Sequence, residues 1–526
     1  MSLPTTVRTA AVGAAGALLL AACSSGSTLG TVTQGSATPS SSPTATPSAS
    51  ASTQAGVDPA LAPYYAQKLS WSSCGGSFQC AAMTVPLDYA QPTGETIKIS
   101  VLRLRSSGGG SHLGSLVTNP GGPGGSGVDF ARAARSIFPE QMLAAYDVVG
   151  FDPRGVQRSD PVTCLTDAQY DDFIALDGSP DTPAEVTALE GAAKQFAQGC
   201  EQRSAKILAH VSTADSARDM DVLRAALGDK KLNYVGFSYG TLLGATYADL
   251  FPKNVGRMVL DGAVDPALGN VELQHGQAKG FELALKRFVE NCDQQSDCPL
   301  PGGTQAGLDR IAKLFADTDA TPLPTDDPKR PLTQALAQGA VLSYLYFPAY
   351  GDWDALRQGL AAAFDGDGTV LLQMLDERNE RSSNGKYANN LPFAYYAVSA
   401  LADPDRPTTA QTATLAAQWE KETPILGSLF AWANDIWQYW PVAANDKPHA
   451  LTAKGAPPIL VVGTTYDPAT PYPWAQAMAK ELSTGVLLTR VGDGHTGYGK
   501  GSACTDNAVD RFMLQGTAPA AGTVCR

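Results

Sequence analysis

Leu232-Asn233-Tyr234-Val235-Gly236-Phe237-Ser238-Tyr239-Gly240-Thr241-Leu242-Leu243 runs from an apolar, β-type segment through a glycine-flanked turn into a helical one. Leu232 to Phe237 has the length and residue types of a buried strand, and Leu242 to Leu250 reads as a helix that ends before Pro252. Between them, Gly236-Phe237-Ser238-Tyr239-Gly240 fits the pattern G-x-S-x-G. With 52 glycines in 526 residues, that pattern by itself is weak. Its position gives it weight, because a strand before and a helix after are what a nucleophile elbow requires. A Cβ at the flanking positions would strike neighbouring backbone, so glycine is needed there. The turn then presents Ser238 Oγ at the carboxyl edge of a sheet.

The same alternation continues outward. Thr84–Leu87 and Ile97–Leu104 read as an antiparallel pair around the turn Gln91-Pro92-Thr93-Gly94. Gly114–Thr118 is a short strand entering a glycine loop, Val128–Ile137 a helix, and Tyr146–Phe151 a strand ending at Asp152-Pro153-Arg154-Gly155. Thr213–Leu227 carries apolar residues at helical spacing, and Val255–Leu260 is again a strand. Such alternation predicts an α/β fold, a mostly parallel sheet with helices on both faces. Near Pro266 it stops. Helical patterns fill Val271–Cys292, Ala306–Phe315, Leu332–Leu345, Trp353–Phe364, Pro392–Leu401 and Thr408–Trp419, and β-type runs return at Ile459–Val462 and Val486–Val491. Residues 267–454 are therefore expected to form a helical cap, inserted into a core made of 57–266 and 455–526. Its place in the chain puts it over the sheet edge where ligands bind.

The N-terminus reads as an address. Residues 1–22 resemble an export signal, with Arg8 ahead of the apolar run Ala10 to Leu20. Leu20-Ala21-Ala22-Cys23 fits the bacterial lipobox, so Cys23 is the expected lipidation site and mature N-terminus. Two or three acyl chains anchor stably where one is marginal. Residues 24–56 are almost all small or hydroxylated and read as a disordered linker. This predicts a protein exported and lipid-anchored on the extracytoplasmic face of a bacterial membrane. Eight further cysteines, an even number in an exported chain, imply disulfides. Eight cysteines allow 105 pairings, and proximity is the only guide: Cys74/Cys80 and Cys292/Cys298 would close short loops, with Cys164/Cys200 and Cys504/Cys525 as the natural remainder. No C-x-x-C occurs, so no metal is expected. A net charge of −13 disfavours nucleic-acid binding. No cofactor is called for, and a monomer is expected.

The chemistry needs partners for Ser238. Asn119-Pro120-Gly121-Gly122-Pro123-Gly124-Gly125-Ser126-Gly127 follows a strand, and its glycines let backbone N–H groups approach a developing oxyanion. The expected donors are the N–H of Tyr239 and one from Gly121 or Gly122. A phosphate loop is the rival reading, but no Lys follows the glycines. Of the five histidines, only His495 follows the last β-type run, in Gly492-Asp493-Gly494-His495-Thr496-Gly497. Asp467 follows the run Ile459–Val462, in Thr465-Tyr466-Asp467-Pro468. The order Ser238, Asp467, His495 is that of α/β-hydrolase triads. Asp493 competes for the acid role, although it stands only two residues from His495.

These motifs together resemble the proline-iminopeptidase-related α/β-hydrolases, and within them the secreted bacterial tripeptidyl aminopeptidases. The characteristic C-terminal segment of the latter is matched by Gly494-His495-Thr496-Gly497-Tyr498, Cys504 and Cys525. The resemblance spans roughly residues 60–526. It implies an α/β-hydrolase core, a helical cap, and cleavage of peptide bonds near a free N-terminus. Pro120 stands where proline iminopeptidases carry His before Gly-Gly-Pro, which separates this chain from a strict proline iminopeptidase. The wider group includes esterases, so a carboxylesterase on the same scaffold is the alternative. A solute-binding lipoprotein is the alternative of another class, although it needs no elbow. Asp152 and Arg154 are read as loop-stabilising. An aminopeptidase also needs a carboxylate for the substrate ammonium, with Asp265 and cap carboxylates as candidates.

Overall fold

The computed structural model describes residues 58–108 and 112–526. The signal, Cys23 and the linker lie outside the described residues. Ten strands form one sheet: β1 Ser72–Ser73, β2 Phe78–Pro86, β3 Thr96–Leu104, β4 Ser115–Asn119, β5 Asp147–Phe151, β6 Leu232–Phe237, β7 Val255–Asp261, β8 Ile459–Tyr466, β9 Gly485–Asp493 and β10 Thr523–Cys525. Their order is β1-β2-β3-β5-β4-β6-β7-β8-β9-β10. Pairing is antiparallel from β1 to β5 and parallel from β5 through β10. Every residue of β4 and β5 is buried, as strands covered on both faces must be. The α/β fold expected from the sequence is the fold observed.

The strand order locates the site. From β4 the chain moves to β5 on one side and then returns to β6 on the other. The loops leaving β4 and β6 therefore diverge from adjacent strand ends, where open α/β sheets carry their crevice. Asn119 pairs with Gly236 at this point, so the glycine loop and the elbow meet.

The Asp152-Pro153-Arg154-Gly155 turn holds that glycine loop, in agreement with the structural role expected of it. Asp152 accepts from Ser126 Oγ at 2.5 Å and from Val128 N–H at 3.2 Å, at the start of the helix Gly127–Arg132. Arg154 is fully buried, and all five of its donors are engaged. They reach both oxygens of Asp219 at 2.8 Å and the carbonyls of Pro86, Leu87 and His210. A buried guanidinium is tolerated only when it is satisfied in this way. The helix expected over Val128–Ile137 is broken at Ala133, where backbone ψ is 5°, into Gly127–Arg132 and Ala134–Ile137.

The cap has its own apolar core, including Phe281, Leu285, Phe288, Ile311, Leu356 and Leu371. Two helices unforeseen from the sequence, Asp167–Ala175 and Pro183–Leu208, join it. The second starts on a capping box of Thr182 and Glu185 with Pro183 at its first position. Phe196 on this helix meets Phe393 and Tyr396 of the helix Leu391–Ala402 at 5.6 and 5.2 Å. Arg381 pairs with Asp171 at 2.7 Å. Part of the segment read as core thus packs with the cap helices. The four disulfides are Cys74–Cys80, Cys164–Cys200, Cys292–Cys298 and Cys504–Cys525. Among the described residues no helix is long and apolar enough to cross a membrane.

Asp261, the last residue of β7, ties the strand ends together. Its carbonyl accepts the Ser238 N–H at 2.9 Å. Its fully buried carboxylate accepts the N–H groups of Gly497 and Tyr498, both at 2.8 Å. Tyr498 OH continues to Asp510 at 2.6 Å, on the C-terminal helix Ala503–Gln515. Burial pushes the Asp261 carboxyl up to about 6, against the pull of the two N–H groups and of His495. An unfolded Asp titrates near 3.9, so folding takes up a proton between about pH 4 and 6. Native stability from this group therefore falls as pH rises through that window. Asp261→Asn lacks this dependence. In urea titrations it should be weakest relative to wild type at pH 4.5 and gain on it by about 1–2 kcal/mol by pH 7. A gap independent of pH would show that this carboxyl does not titrate there.

Candidate active site

Ser238 stands between β6 and the helix Tyr239–Leu250 at φ 56°, ψ −127°. This is a strained conformation for a residue with a side chain, and the surroundings impose it. A Cβ on Gly236 would lie 2.4 Å from the Gly240 carbonyl, so the turn closes only with glycine there. The Ser238 carbonyl is held by Thr241, through N–H at 2.8 Å and Oγ1 at 2.6 Å.

The glycine loop lies against this turn. A Cβ on Gly121 would come within 2.8 Å of Ser238 Cβ and 3.0 Å of the Tyr239 nitrogen. Gly121 itself, at φ 103°, is not a free donor, because its N–H is bound to Asn119 Oδ1 at 2.9 Å. This corrects the expectation that either glycine could supply the oxyanion donor. Gly121 supplies the close approach, and its amide points back into the strand end. Among the described residues, the N–H groups of Gly122 and Tyr239 have no protein acceptor.

His495 is braced from behind. Its Nδ1 lies 2.9 and 3.0 Å from the two oxygens of Asp467, and both residues are buried. Asp467 is fixed in turn by the N–H groups of Ala469, Thr470 and Thr496 and by Thr470 Oγ1, at 2.8–3.0 Å. Thr470 Oγ1 also lies 3.3 Å from His495 Nδ1. The His495 N–H donates to the Tyr346 carbonyl of the cap at 2.7 Å, and the Tyr346 ring stands edge-on to the imidazole. His495 Cε1 would meet a Cβ on Gly262 at 3.3 Å, and Gly262 directly follows the Asp261 that holds Ser238. No hydrogen bond joins Ser238 Oγ to His495 in this structure. Such contacts are commonly long before substrate arrives.

Asp493 does not compete for His495. It pairs instead with Arg287 of the cap helix Asn270–Cys292, Nη2 to Oδ2 at 2.9 Å, and that guanidinium lies 3.7 Å over the Tyr466 ring. Three other histidines have separate surroundings: His112 meets Asp147, His275 stacks on Trp419, and His449 lies on an outer cavity. The sequence reading missed Asp261, Thr470 and Tyr346. Only Thr470 left a trace there, as a hydroxyl three residues after Asp467 that can close a turn on it.

A cavity of about 90 Å³ opens on Ser238, lined by Gly122, Leu242, Val264, Leu273, Tyr395 and Trp474 among others. No charged side chain lines it. Tyr239 closes one wall, its hydroxyl 2.9 Å from Thr213 and pushed by burial up to about 12. Asp265 lies on a neighbouring cavity of about 370 Å³. Strained serine, unengaged N–H donors and carboxylate-braced imidazole form an arrangement suited to acyl transfer.

Comparison with known proteins agrees. A model of the family described as TAP-like protein matches residues 423–525. Serine protease Hip1 of Mycobacterium tuberculosis is 35% identical over 487 residues, covering 88% of this chain and 92% of that protein. Carboxylesterase B of the same organism is 37% identical over 483 residues, covering 88% and 91%. Tripeptidyl aminopeptidase of Streptomyces lividans is 33% identical over 479 residues, covering 87% and 86%. Identity at this level across nearly the whole length of each protein, on an α/β-hydrolase sheet, shows that the chain is a serine hydrolase belonging to the tripeptidyl-aminopeptidase-like α/β-hydrolase family.

Proposed function

We propose that this protein is an extracytoplasmic peptidase that cuts near the free N-terminus of peptides. One observation supports its acyl-transfer chemistry: a strained Ser238 beside two N–H groups without protein acceptors, across Gly262 from an imidazole braced on Asp467. Ser238 Oγ attacks the scissile carbonyl while His495 Nε2 takes its proton. The tetrahedral oxyanion sits on the N–H groups of Gly122 and Tyr239. Collapse breaks the C–N bond, and His495 returns the proton to the leaving amine. Water, deprotonated by the same imidazole, then releases the acyl group from Ser238. Asp467 holds His495 in the tautomer that presents Nε2 and stabilises the imidazolium. The names of the protease and aminopeptidase relatives support peptide substrates.

The carboxylesterase named among the relatives, together with the uncharged Ser238 cavity, favours a second reading as an acyl esterase. A tripeptide chromogenic amide with a free N-terminus, its N-acetyl twin and a short-chain ester separate the two. The peptidase turns over the free amide in preference to its twin. An enzyme that cleaves the ester and neither amide is the esterase.

Ser238→Ala should abolish turnover and labelling by a fluorophosphonate. Asp467→Asn should keep the fold but lower kcat by about 10⁴-fold, through loss of the productive tautomer. An Asp467→Asn enzyme within tenfold of wild type would assign the acid role to another residue. The envelope location is tested at Cys23. In a bacterial host, wild type should incorporate labelled palmitate and partition with membranes, and Cys23→Ala should do neither. Palmitate-free wild type recovered in the medium would replace the anchor with simple secretion.

A further inference from the structure

The Ser238 cavity lies beside a larger one. Thr213, Leu242, Val264, Asn270, Leu273 and Ala402 line both it and the larger neighbouring cavity, so the two adjoin. Their characters differ. The inner one has no charged lining residue, whereas Asp215, Asp249, Asp265, Asp403 and Asp446 line the outer one, against Arg218 and Lys447. Two of these carboxylates are buried. Asp403, 5% exposed, has both oxygens engaged by backbone, accepting from Asn270 N–H at 2.6 Å and Asp405 N–H at 2.9 Å. Asp265, 9% exposed, accepts from Ala267 N–H at 2.9 Å through Oδ1. Among the described residues it has no cation partner, and Oδ2 accepts no hydrogen bond. Burial pushes its carboxyl upward, the direction expected of a buried acid that lacks a cation.

Asp265 is also rigidly related to the nucleophile. Val264 N–H donates to Thr241 Oγ1 at 3.0 Å, and the same hydroxyl donates to the Ser238 carbonyl at 2.6 Å. Two hydrogen bonds thus separate the backbone next to Asp265 from the elbow. The inner cavity holds about three waters' volume, room for one small side chain, and the outer one about twelve.

We propose that the two cavities open into each other to take one peptide substrate, with its α-ammonium at Asp265 in the outer cavity and the residue next to the scissile bond in the inner one. This rests on the peptidase reading above and adds where the N-terminus sits. The buried carboxylate supplies the counter-charge that an ammonium leaving water requires, and the remaining aspartates make the cavity attractive to cations. Because the ammonium lies beyond the inner cavity, the acyl product is longer than one residue. A tripeptide spans about 10 Å from its nitrogen to the reacting carbonyl.

The test uses wild type, Asp265→Asn and Asp265→Glu with the free tripeptide amide, its N-acetyl twin and a short-chain ester that has no amine. Wild type should prefer the free amide by about 100-fold or more in kcat/KM. Asp265→Asn should lose that preference, chiefly through KM, while its ester turnover stays within twofold of wild type. Asp265→Glu should restore part of the preference. If Asp265→Asn keeps the full preference, the ammonium binds elsewhere and this assignment is wrong while the peptidase reading stands. If wild type treats the free and acetylated amides alike, the aminopeptidase reading itself fails, and the assignment with it. If ester turnover falls in parallel with amide turnover, Asp265 supports the elbow and binds no ammonium.

Discussion

Asp261 carries two attachments on which the geometry of the candidate site depends. Its carbonyl holds the Ser238 N–H, and its carboxylate holds two successive N–H groups of the loop bearing His495. One residue at the end of β7 thus ties Ser238, the proposed nucleophile, to the loop of His495, the proposed base. A carboxylate suits this because its two oxygens accept two parallel N–H groups, whereas an amide would turn a donor toward one of them. The cost of burying its charge appears in the raised pKa. The neighbouring strand adds a second constraint, since Gly262 N–H donates to the Val462 carbonyl of β8.

Around this junction each residue of the candidate site is held from behind by groups outside it. Thr470 and three backbone N–H groups fix Asp467, and Asp467 fixes His495. Asp152 anchors the helix that follows the glycine loop, and Arg154 locks the turn carrying Asp152 onto Asp219. Preorganised donors and an oriented imidazole stabilise developing charge without reorganising during the reaction, and these outer contacts supply that order.

The cap does more than cover the sheet. Its segment Tyr346–Phe347 touches the His495 loop through a backbone hydrogen bond and ring contacts, and Arg287 removes Asp493 from competition by pairing with it. Two adjoining cavities differ in character, one uncharged at Ser238 and one lined by five aspartates.

Much of this was legible in the chain itself. Strand-turn-helix periodicity around Ser238, the glycine-rich run at 119–127 and the late Asp467 and His495 are local patterns, and local patterns follow from backbone sterics and burial. The short loops closed by Cys74–Cys80 and Cys292–Cys298 were legible for the same reason. Other features depend on residues brought together across hundreds of positions. The sequence offered both Gly121 and Gly122 as donors, and only packing against Asn119 engages one of them. It offered Asp493 as a rival acid, and only Arg287, 206 residues away, draws it off. Asp261 looked like the polar end of a strand until the His495 loop closed over it. The helix Pro183–Leu208 stayed hidden because its apolar positions are few and face a cap that forms from distant chain. By itself the sequence determined the eight longer strands, the elbow and the residue types of the site. Only the tertiary structure decided which N–H is free, which carboxylate braces the imidazole and which cavity is acidic, because each depends on desolvation and hydrogen bonding between segments that the linear order keeps apart.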